Sequence, residues 1–479
     1  MNTGSDNVEW WQKVPCHFTW SLEDTDEDYN TMKNKVKSTL ESWNEEHPNS
    51  PPCQPLLFLG FLEVSKFKGL PRQNPRQAMN HFNNVEREAA KMPVAEERNA
   101  CMTVALANRI WCNEILSQSQ EGKEDVDALH KSKPKTGEET DDMRRLKRLW
   151  NEKNEILEAY IEGIAVFSLE YLGPRKYKDA EDRCRKALVV IPTNPEWHHS
   201  LGCFIGRQSR DKVINSRSGY NHIEEEVKCY EEALRLDPAF DLARCTLAQV
   251  LVKIPQRKKE AAKHIESVHQ NTCSMVIKKG RFYRLAKDYT KALEVLMKGE
   301  SEFSSPRSEL FFQTSLVYEA LAKLPRVDQT TKKNNLEKHI AYCNKCLELE
   351  PQHFPALLKK ARALGQLKRN DAAEKVFREA MRVVKARPKN FVQVQYWFAE
   401  HLTFRNRKQV TPEAAELYQG AMSTTLSMIQ NADDFAIDDI KESMKWFVTN
   451  SKKKLDEFYQ GNPSSNIVHI ERMFASFHF

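Results

Sequence analysis

The segment from Tyr177 to Gly202 carries the spacing that most restricts how this chain can fold. It places Ala180, Ala187 and Pro192 in order, and Leu201-Gly202 follows nine residues after the proline. Small alanines let two helices approach closely, and the proline ends a helix where the chain turns back. This order is typical of the second helix of a helical hairpin, its end, and the first helix of the next hairpin. The segment therefore predicts paired helices that repeat along the chain.

The same frame recurs elsewhere at the expected period. His339 and Ala373 occupy equivalent positions and lie 34 residues apart, which is the period of the tetratricopeptide repeat. Further positions in this frame are Tyr230, Ala233 and Pro238; Ala292 and Leu296; Cys343, Cys346 and Pro351; Leu357, Ala361, Phe377 and Ala380; and Ala414, Tyr418 and Ala421. The predicted fold class is all-α, a tetratricopeptide-repeat superhelix (an α-solenoid) in subdomains.

Length and charge agree with a repeat protein. A chain of 479 residues is too long for one ordinary hydrophobic core, whereas each unit of a solenoid needs only its neighbours. Hydrophobic residues make up 40% and charged residues 29%, with only 15 glycines. The formal charge of +6 comes from 73 basic and 67 acidic residues, so it permits a nucleic-acid partner without requiring one.

Cysteine usage and hydropathy indicate the compartment. The 11 cysteines have irregular spacing, and no apolar run approaches the ~20 residues that span a membrane. The start of the sequence is polar and acidic, unlike a secretory leader. We therefore expect a cytoplasmic protein with reduced thiols and no membrane partner.

Composition and repeat positions predict six segments. They are an N-terminal leader and helix (1–54), degenerate helical repeats (55–116), a charged insertion or linker (117–145), central tetratricopeptide repeats (146–254), C-terminal tetratricopeptide repeats (255–429) and a helical tail (430–479).

Some individual elements can also be predicted. We expect helices from about Tyr29 to Trp43 and from Cys101 to Leu116, and an amphipathic helix after Ile429. Another helix should open at Leu56 and end at Lys68-Gly69. Residues 209–220 read as an inserted polar loop.

Motifs for catalysis are missing from the sequence. It contains no phosphate-binding glycine loop, no GxSxG and no HExxH motif, so we expect no enzyme and no cofactor. Cys343 and Cys346 form a single CxxC, which is a weak metal signal without a second pair. In the repeat frame both cysteines fall on packing positions, so we expect them in the core and predict no metal site.

One basic segment is more suggestive of function. Lysines and arginines at 278, 279, 281, 284 and 287 surround Phe282-Tyr283, and positions 278, 281 and 284 share one helix face. On the inner wall of a solenoid, such a face would bind phosphates and stack bases. A solvated charged face explains the segment equally well, so this pattern alone does not decide.

A resemblance to a known family extends over most of the chain. Cys16-His17-Phe18-Thr19-Trp20, with the acidic stretch and Asn34-Lys35-Val36 that follow, resembles the N-terminus of the interferon-induced proteins with tetratricopeptide repeats, an antiviral family. Motifs in family order continue it: Lys68-Gly69, Glu162-Gly163, Lys176-Tyr177, Asn194-Pro195-Glu196, Leu236-Asp237-Pro238, Phe282-Tyr283-Arg284 and Leu310-Phe311-Phe312-Gln313.

The resemblance implies a helical superhelix around a positively charged tunnel that binds single-stranded viral RNA by its 5′ end. The RNA-binding positions that it implies are Lys35, Thr39, Tyr177, Arg207, Arg281, Tyr283, Arg284 and Gln313. Other members act mainly through protein partners, so family relatives and the translation machinery are further expected partners.

Two of the departures from the family pattern concern binding of a cap. Ile164 aligns with a tryptophan that stacks on the cap base, and Ser168 aligns with a nearby lysine. Losing a stacking platform forfeits on the order of 1–3 kcal/mol per base. We therefore expect an interferon-induced effector that captures 5′-triphosphate RNA in preference to capped RNA, and sequesters it or blocks its translation. The alternative is a repeat scaffold that acts through protein contacts, with little RNA binding specific for the 5′ end.

Overall fold

The structure, a computed structural model, describes residues 10–20, 22, 29–46, 50–65, 73–118, 139–212, 218–385, 387–430 and 434–459. Twenty α-helices and three short 3-10 turns occupy these ranges, in which there is no β-strand. The predicted all-α repeat fold is therefore confirmed. The chain divides into two compact units: residues 1–210 with 215–243, and residues 211–214 with 244–479.

The first unit contains helix pairs built around one large core that runs from Trp11 to Cys229. Its helices are α1 (Tyr29–Glu46), α2 (Cys53–Leu62), α3 (Pro75–Ala89), α4 (Ala95–Gln118), α5 (Asp141–Asn151), α6 (Glu155–Glu170), α7 (Tyr177–Val190), α8 (Pro195–Lys212) and α9 (Ser218–Leu236). Helix α10 (Asp241–Leu251) crosses the division between the units.

The second unit continues the alternation of paired helices. Its helices are α11 (Lys258–Glu266), α12 (Cys273–Leu285), α13 (Tyr289–Glu302), α14 (Ser308–Ala322), α15 (Gln329–Leu349), α16 (Phe354–Gln366), α17 (Asn370–Val383), α18 (Pro388–Arg405), α19 (Pro412–Gln430) and α20 (Asp434–Tyr459). The helix predicted after Ile429 is thus confirmed as α20.

The pair α16–α17 shows how the repeat spacing produces the fold. Leu357, Ala361, Ala373 and Phe377 are all fully or almost fully buried where the two helices meet. His339 of α15, one period before Ala373, is 1% exposed. Small residues at the crossing and large ones beside it therefore recur every repeat, because each pair packs on the next.

The cysteines of the CxxC motif lie in the core, as predicted. Cys343 and Cys346 are both 0% exposed, and burial raises the pKa of the Cys343 thiol to about 12. All eleven cysteines are free thiols. Over the described ranges, no helix combines the length and apolar character needed to cross a membrane.

Several helix boundaries differ from those predicted. The linker was expected to last until residue 145, but α5 already begins at Asp141, with the Thr140 hydroxyl accepting a hydrogen bond from the Met143 amide at 3.2 Å. Helix α2 ends at Leu62 and not at Lys68-Gly69, a pair that lies outside the described residues.

The expected polar loop at 209–220 is shorter than predicted, because α8 extends to Lys212 and α9 begins at Ser218. The central part of the linker (119–138) and the end of the tail (460–479) also lie outside the described residues.

Candidate functional site

In the first unit, Arg207 of α8 lies at the centre of a polar and aromatic cluster. Its Nη2 contacts Oε1 of Glu170, at the end of α6, at 2.6 Å. Its guanidinium lies over two rings, with Cζ 5.4 Å from the Tyr177 centroid and 5.9 Å from that of Phe204. Tyr177 and Phe204 are themselves 6.0 Å apart. The guanidinium is therefore held in place by one carboxylate and two aromatic faces.

This environment keeps Arg207 charged. Burial alone would lower its pKa, but the neighbouring Glu170 carboxylate outweighs that effect, so the pKa is raised above its ordinary value. The side chain is still 29% exposed. A guanidinium has five N–H donors, so donors remain for an anion even while Glu170 is bound.

Lys35 and Thr39 reach this cluster through α6. The Thr39 hydroxyl lies 2.7 Å from the phenol oxygen of Tyr171, the residue after Glu170. Lys35 is exposed one turn earlier on the same face of α1, and its carbonyl accepts a hydrogen bond from the Thr39 hydroxyl at 3.1 Å. A continuous set of contacts thus connects the α1 positions with Arg207.

The two departures from the family pattern that concern cap binding are buried. Ile164 is 2% exposed and Ser168 is 0% exposed. The Ser168 hydroxyl lies 2.9 Å from Nε2 of His17, and the opposite ring nitrogen of His17 lies 3.0 Å from the Asn108 amide nitrogen. Ser168 therefore anchors the N-terminal CHFTW segment in the core.

In the second unit, Arg284 of α12 meets Gln313 of α14. The Arg284 Nε donates to Gln313 Oε1 at 3.3 Å, and Gln313 in turn donates to Glu309 at 2.7 Å. Gln313 is 4% exposed, whereas Arg281 is exposed. Burial lowers the pKa of Arg284, and the positive charge of Arg281 lowers it further. Two guanidinium groups therefore share one region of the surface between α12 and α14.

Tyr283 lies on another side of α12. Its ring is 5.3 Å from that of Phe282, and Nζ of Lys291 on α13 lies 5.6 Å from the Tyr283 centroid. Burial raises its pKa, with smaller contributions from Glu266, Asp288 and Glu294. The structure therefore joins Arg284 with Gln313, but it places Tyr283 toward α13.

The carboxylates that hold the arginines could not be identified from the sequence. Glu170 lies 37 residues before Arg207, so no local pattern could have identified it. Phe204 could have been predicted from the sequence, because it precedes Arg207 by three residues and so shares its helix face. Both guanidinium groups are placed by acidic neighbours, directly in the first unit and through Gln313 in the second.

No metal centre is found in the part of the chain that the structure describes. There, no three histidine, cysteine, aspartate or glutamate side chains come together as a metal ion would require.

Paired helices with this spacing define a tetratricopeptide-repeat protein. The tetratricopeptide-repeat family model matches residues 354–383, which form α16 and α17.

Solved structures identify the particular arrangement. The human IFIT1 dimer with PPP-AAAA is 18% identical, and the match covers 98% of this chain and 99% of that chain at a TM-score of 0.57. The human IFIT1 dimer with m7Gppp-AAAA is also 18% identical, with 98% of this chain and 99% of that chain covered at a TM-score of 0.59. A monomeric IFIT1 mutant with Gppp-AAAA is 16% identical over 94% of this chain and 98% of that one, at 0.60. This chain therefore has the fold of human IFIT1, and its resemblance to the interferon-induced tetratricopeptide proteins is confirmed at the level of the fold. No curated protein sequence matches it.

Proposed function

We propose that this protein is a non-enzymatic antiviral effector that binds the 5′ end of single-stranded RNA and sequesters it or blocks its translation. Lys35 and Arg207 of the first unit, and Arg281 and Arg284 of the second, would contact phosphates. Tyr177 and Tyr283 would supply aromatic surface for bases or ribose. The proposal places the protein in the cytoplasm, under interferon control.

The observation that carries the proposal is the arrangement around Arg207. A partly exposed guanidinium lies over two aromatic rings and keeps unused N–H donors. Arginine in such a setting suits phosphate recognition, since its planar fork can bind two oxygens at once. Solved IFIT1 structures contain PPP-AAAA and m7Gppp-AAAA, which supports RNA as the ligand class.

Burial of Ile164 and Ser168 favours a triphosphate over a cap. An isoleucine that is 2% exposed offers no aromatic face on which a methylated guanine could stack. Lys35 and Arg207 of the first unit would still meet the negative charges of a triphosphate. We therefore infer that the 5′ phosphates, and not a cap base, dominate recognition.

The test is a pair of charge reversals. Arg207→Glu combined with Arg281→Glu should weaken binding of a 5′-triphosphate RNA by about tenfold or more, because each charge-assisted hydrogen bond contributes ~1.5–3 kcal/mol. Arg87→Glu is the matched control, since this arginine is 70% exposed on α3 and outside the cluster. Unchanged affinity in the double variant would refute the proposal.

The second candidate is a protein-binding scaffold. It is favoured by the Glu170 carboxylate, which already pairs with Arg207 and opposes the approach of a phosphate. Under this alternative, purified protein carries no co-purifying RNA, and its ratio of absorbance at the nucleic-acid and protein maxima is that of protein alone. Family relatives or the translation machinery would then be the partners.

A further inference from the structure

Three contacts in the second unit each join the first helix of one pair to the first helix of the next. Arg284 of α12 meets Gln313 of α14. Glu319 of α14 pairs with Lys359 of α16 at 2.7 Å. Arg362 of α16 lies over the ring of Trp397 of α18. These contacts define one surface, which we call the first-helix surface.

Arg362 differs from the other two cations on this surface. Its Cζ is only 3.7 Å from the Trp397 ring centroid, so the guanidinium lies against the indole. Within the described residues it makes no ion pair and no hydrogen bond, whereas Lys359 pairs with Glu319 and Arg284 bonds to Gln313. Burial lowers the pKa of Arg362, and the more distant charge of Glu319 opposes this shift. A half-buried guanidinium with unused N–H donors has the chemistry to bind an anion.

An exposed aromatic ring lies next to Trp397, the residue that Arg362 contacts. Trp446 of α20 is 52% exposed, and its ring centroid is 6.0 Å from that of Trp397. Trp446 is also held edge-on by Tyr396 at 5.1 Å. The indole is therefore held by neighbouring rings while about half of its surface stays exposed.

The charge around Trp446 indicates the chemistry of a ligand. On α20, Lys445 directly precedes the tryptophan and Lys453 lies two turns further on the same helix face, while Lys454 pairs with Glu457 at 2.9 Å. An exposed indole, a guanidinium with unused N–H donors and nearby lysines together match a nucleotide, which offers both a flat base and a phosphate.

We propose that Arg362, Trp397 and Trp446 form a second RNA subsite, independent of the 5′ end. A backbone phosphate binds the Arg362 guanidinium while Trp397 holds that group in place, and a base stacks on Trp446. The subsite rests on the proposed function for its ligand class, but it recognises single-stranded RNA by its backbone and bases. It therefore adds affinity for longer RNA.

The test compares RNA of two lengths on the full-length protein. The short probe is a 5′-triphosphate tetranucleotide of sequence AAAA, and the long probe is a 5′-hydroxyl RNA of roughly 16 nucleotides, the upper end of what one single-strand-binding domain covers. Trp446→Ala and Arg362→Glu should each weaken binding of the long probe by about tenfold. Trp446→Phe, which keeps a flat ring, should restore most of that affinity. Phe404→Ala is the control, because Phe404 is 62% exposed on α18.

Each outcome separates this subsite from the 5′-end proposal. Arg207→Glu should weaken the short probe, and the subsite variants should weaken the long one. The second subsite is overturned if Trp446→Ala and Arg362→Glu bind the long RNA like the wild type while their helical circular dichroism is unchanged. Competition with polyglutamate gives a second check. If both proteins bind the RNA equally, but polyglutamate displaces the probe from wild type and not from Arg362→Glu, the surface binds acidic peptides. That result would also overturn the second subsite.

Discussion

Arg207 and Arg284 are the residues on which the RNA proposal depends most, and both are placed by a polar partner. The Glu170 carboxylate contacts Arg207 directly, while Glu309 acts on Arg284 through the Gln313 amide. The resemblance indicated the arginines, and neither carboxylate was indicated by the sequence, because each partner comes from another helix. Such pairing holds a long side chain ready but reduces the net positive charge that a phosphate meets.

Glu170→Gln should strengthen binding of 5′-triphosphate RNA a few-fold at low salt. The amide can still accept a hydrogen bond from Arg207, but it no longer repels the phosphate. Fluorescence anisotropy with labelled RNA measures the change. A loss as large as that of Arg207→Glu would contradict this account and show that Glu170 mainly positions the arginine.

His17 makes the stability of the first unit dependent on pH. Burial lowers its pKa from 6.5 to about 3, so the folded protein keeps this ring neutral while the unfolded chain binds a proton below pH 6.5. The contribution of His17 is therefore complete above the unfolded pKa and is lost as the pH falls below it. Between about pH 7.5 and about pH 5.5 it should cost ~1.4 kcal/mol of unfolding free energy.

His17→Gln should remove this part of the pH dependence, measured by urea unfolding at the two pH values. Ser168→Ala is the companion variant. It loses one hydrogen bond but keeps the buried His17 ring, so its unfolding free energy should depend on pH as steeply as that of the wild type. Equal slopes for wild type and His17→Gln would contradict the prediction.

At the scale of helices, the repeat spacing predicted what is buried better than where helices end. The alanines and aromatics of the repeat frame lie between paired helices, since close crossing requires them there. Helix α5 was missed at its start, although Thr140 followed by Asp141 and Asp142 is a recognisable N-cap with an acidic first turn. The end of α2 at Leu62 had no such signal, since no glycine or proline directly follows that residue.

Gly60→Ala tests the close crossing of α2 and α3. A Cβ at this position would lie 2.5 Å from the Phe82 ring, which is itself fully buried, so the ring cannot move aside freely. We expect a loss of about 1–3 kcal/mol in unfolding free energy from overpacking. Asn83→Ala, at an exposed position of α3, is the control and should be neutral or slightly stabilising. Equal thermal midpoints for both variants would show that the crossing tolerates a methyl group.

At the scale of the molecule, the all-α repeat class followed from one period, because a solenoid repeats the same local contacts. The functional surfaces did not follow in the same way. They consist of side chains from several helices, such as Arg362, Trp397 and Trp446, whose meeting depends on how successive pairs pack. Resemblance to a family supplied candidate positions, and the structure showed which side chains these residues contact. It places Arg284 against Gln313 and Tyr283 toward α13.

Recognition of a 5′ triphosphate can be tested by measuring the binding of short single-stranded RNA with a 5′ triphosphate, a cap or a 5′ hydroxyl, each over a range of salt concentrations. We expect the triphosphate RNA to bind most tightly. If Lys35, Arg207, Arg281 and Arg284 all contact phosphates, the logarithm of the binding constant should fall with that of the salt concentration at a slope of about −3. Equal, weak binding of all three RNAs would contradict the account and favour the protein scaffold.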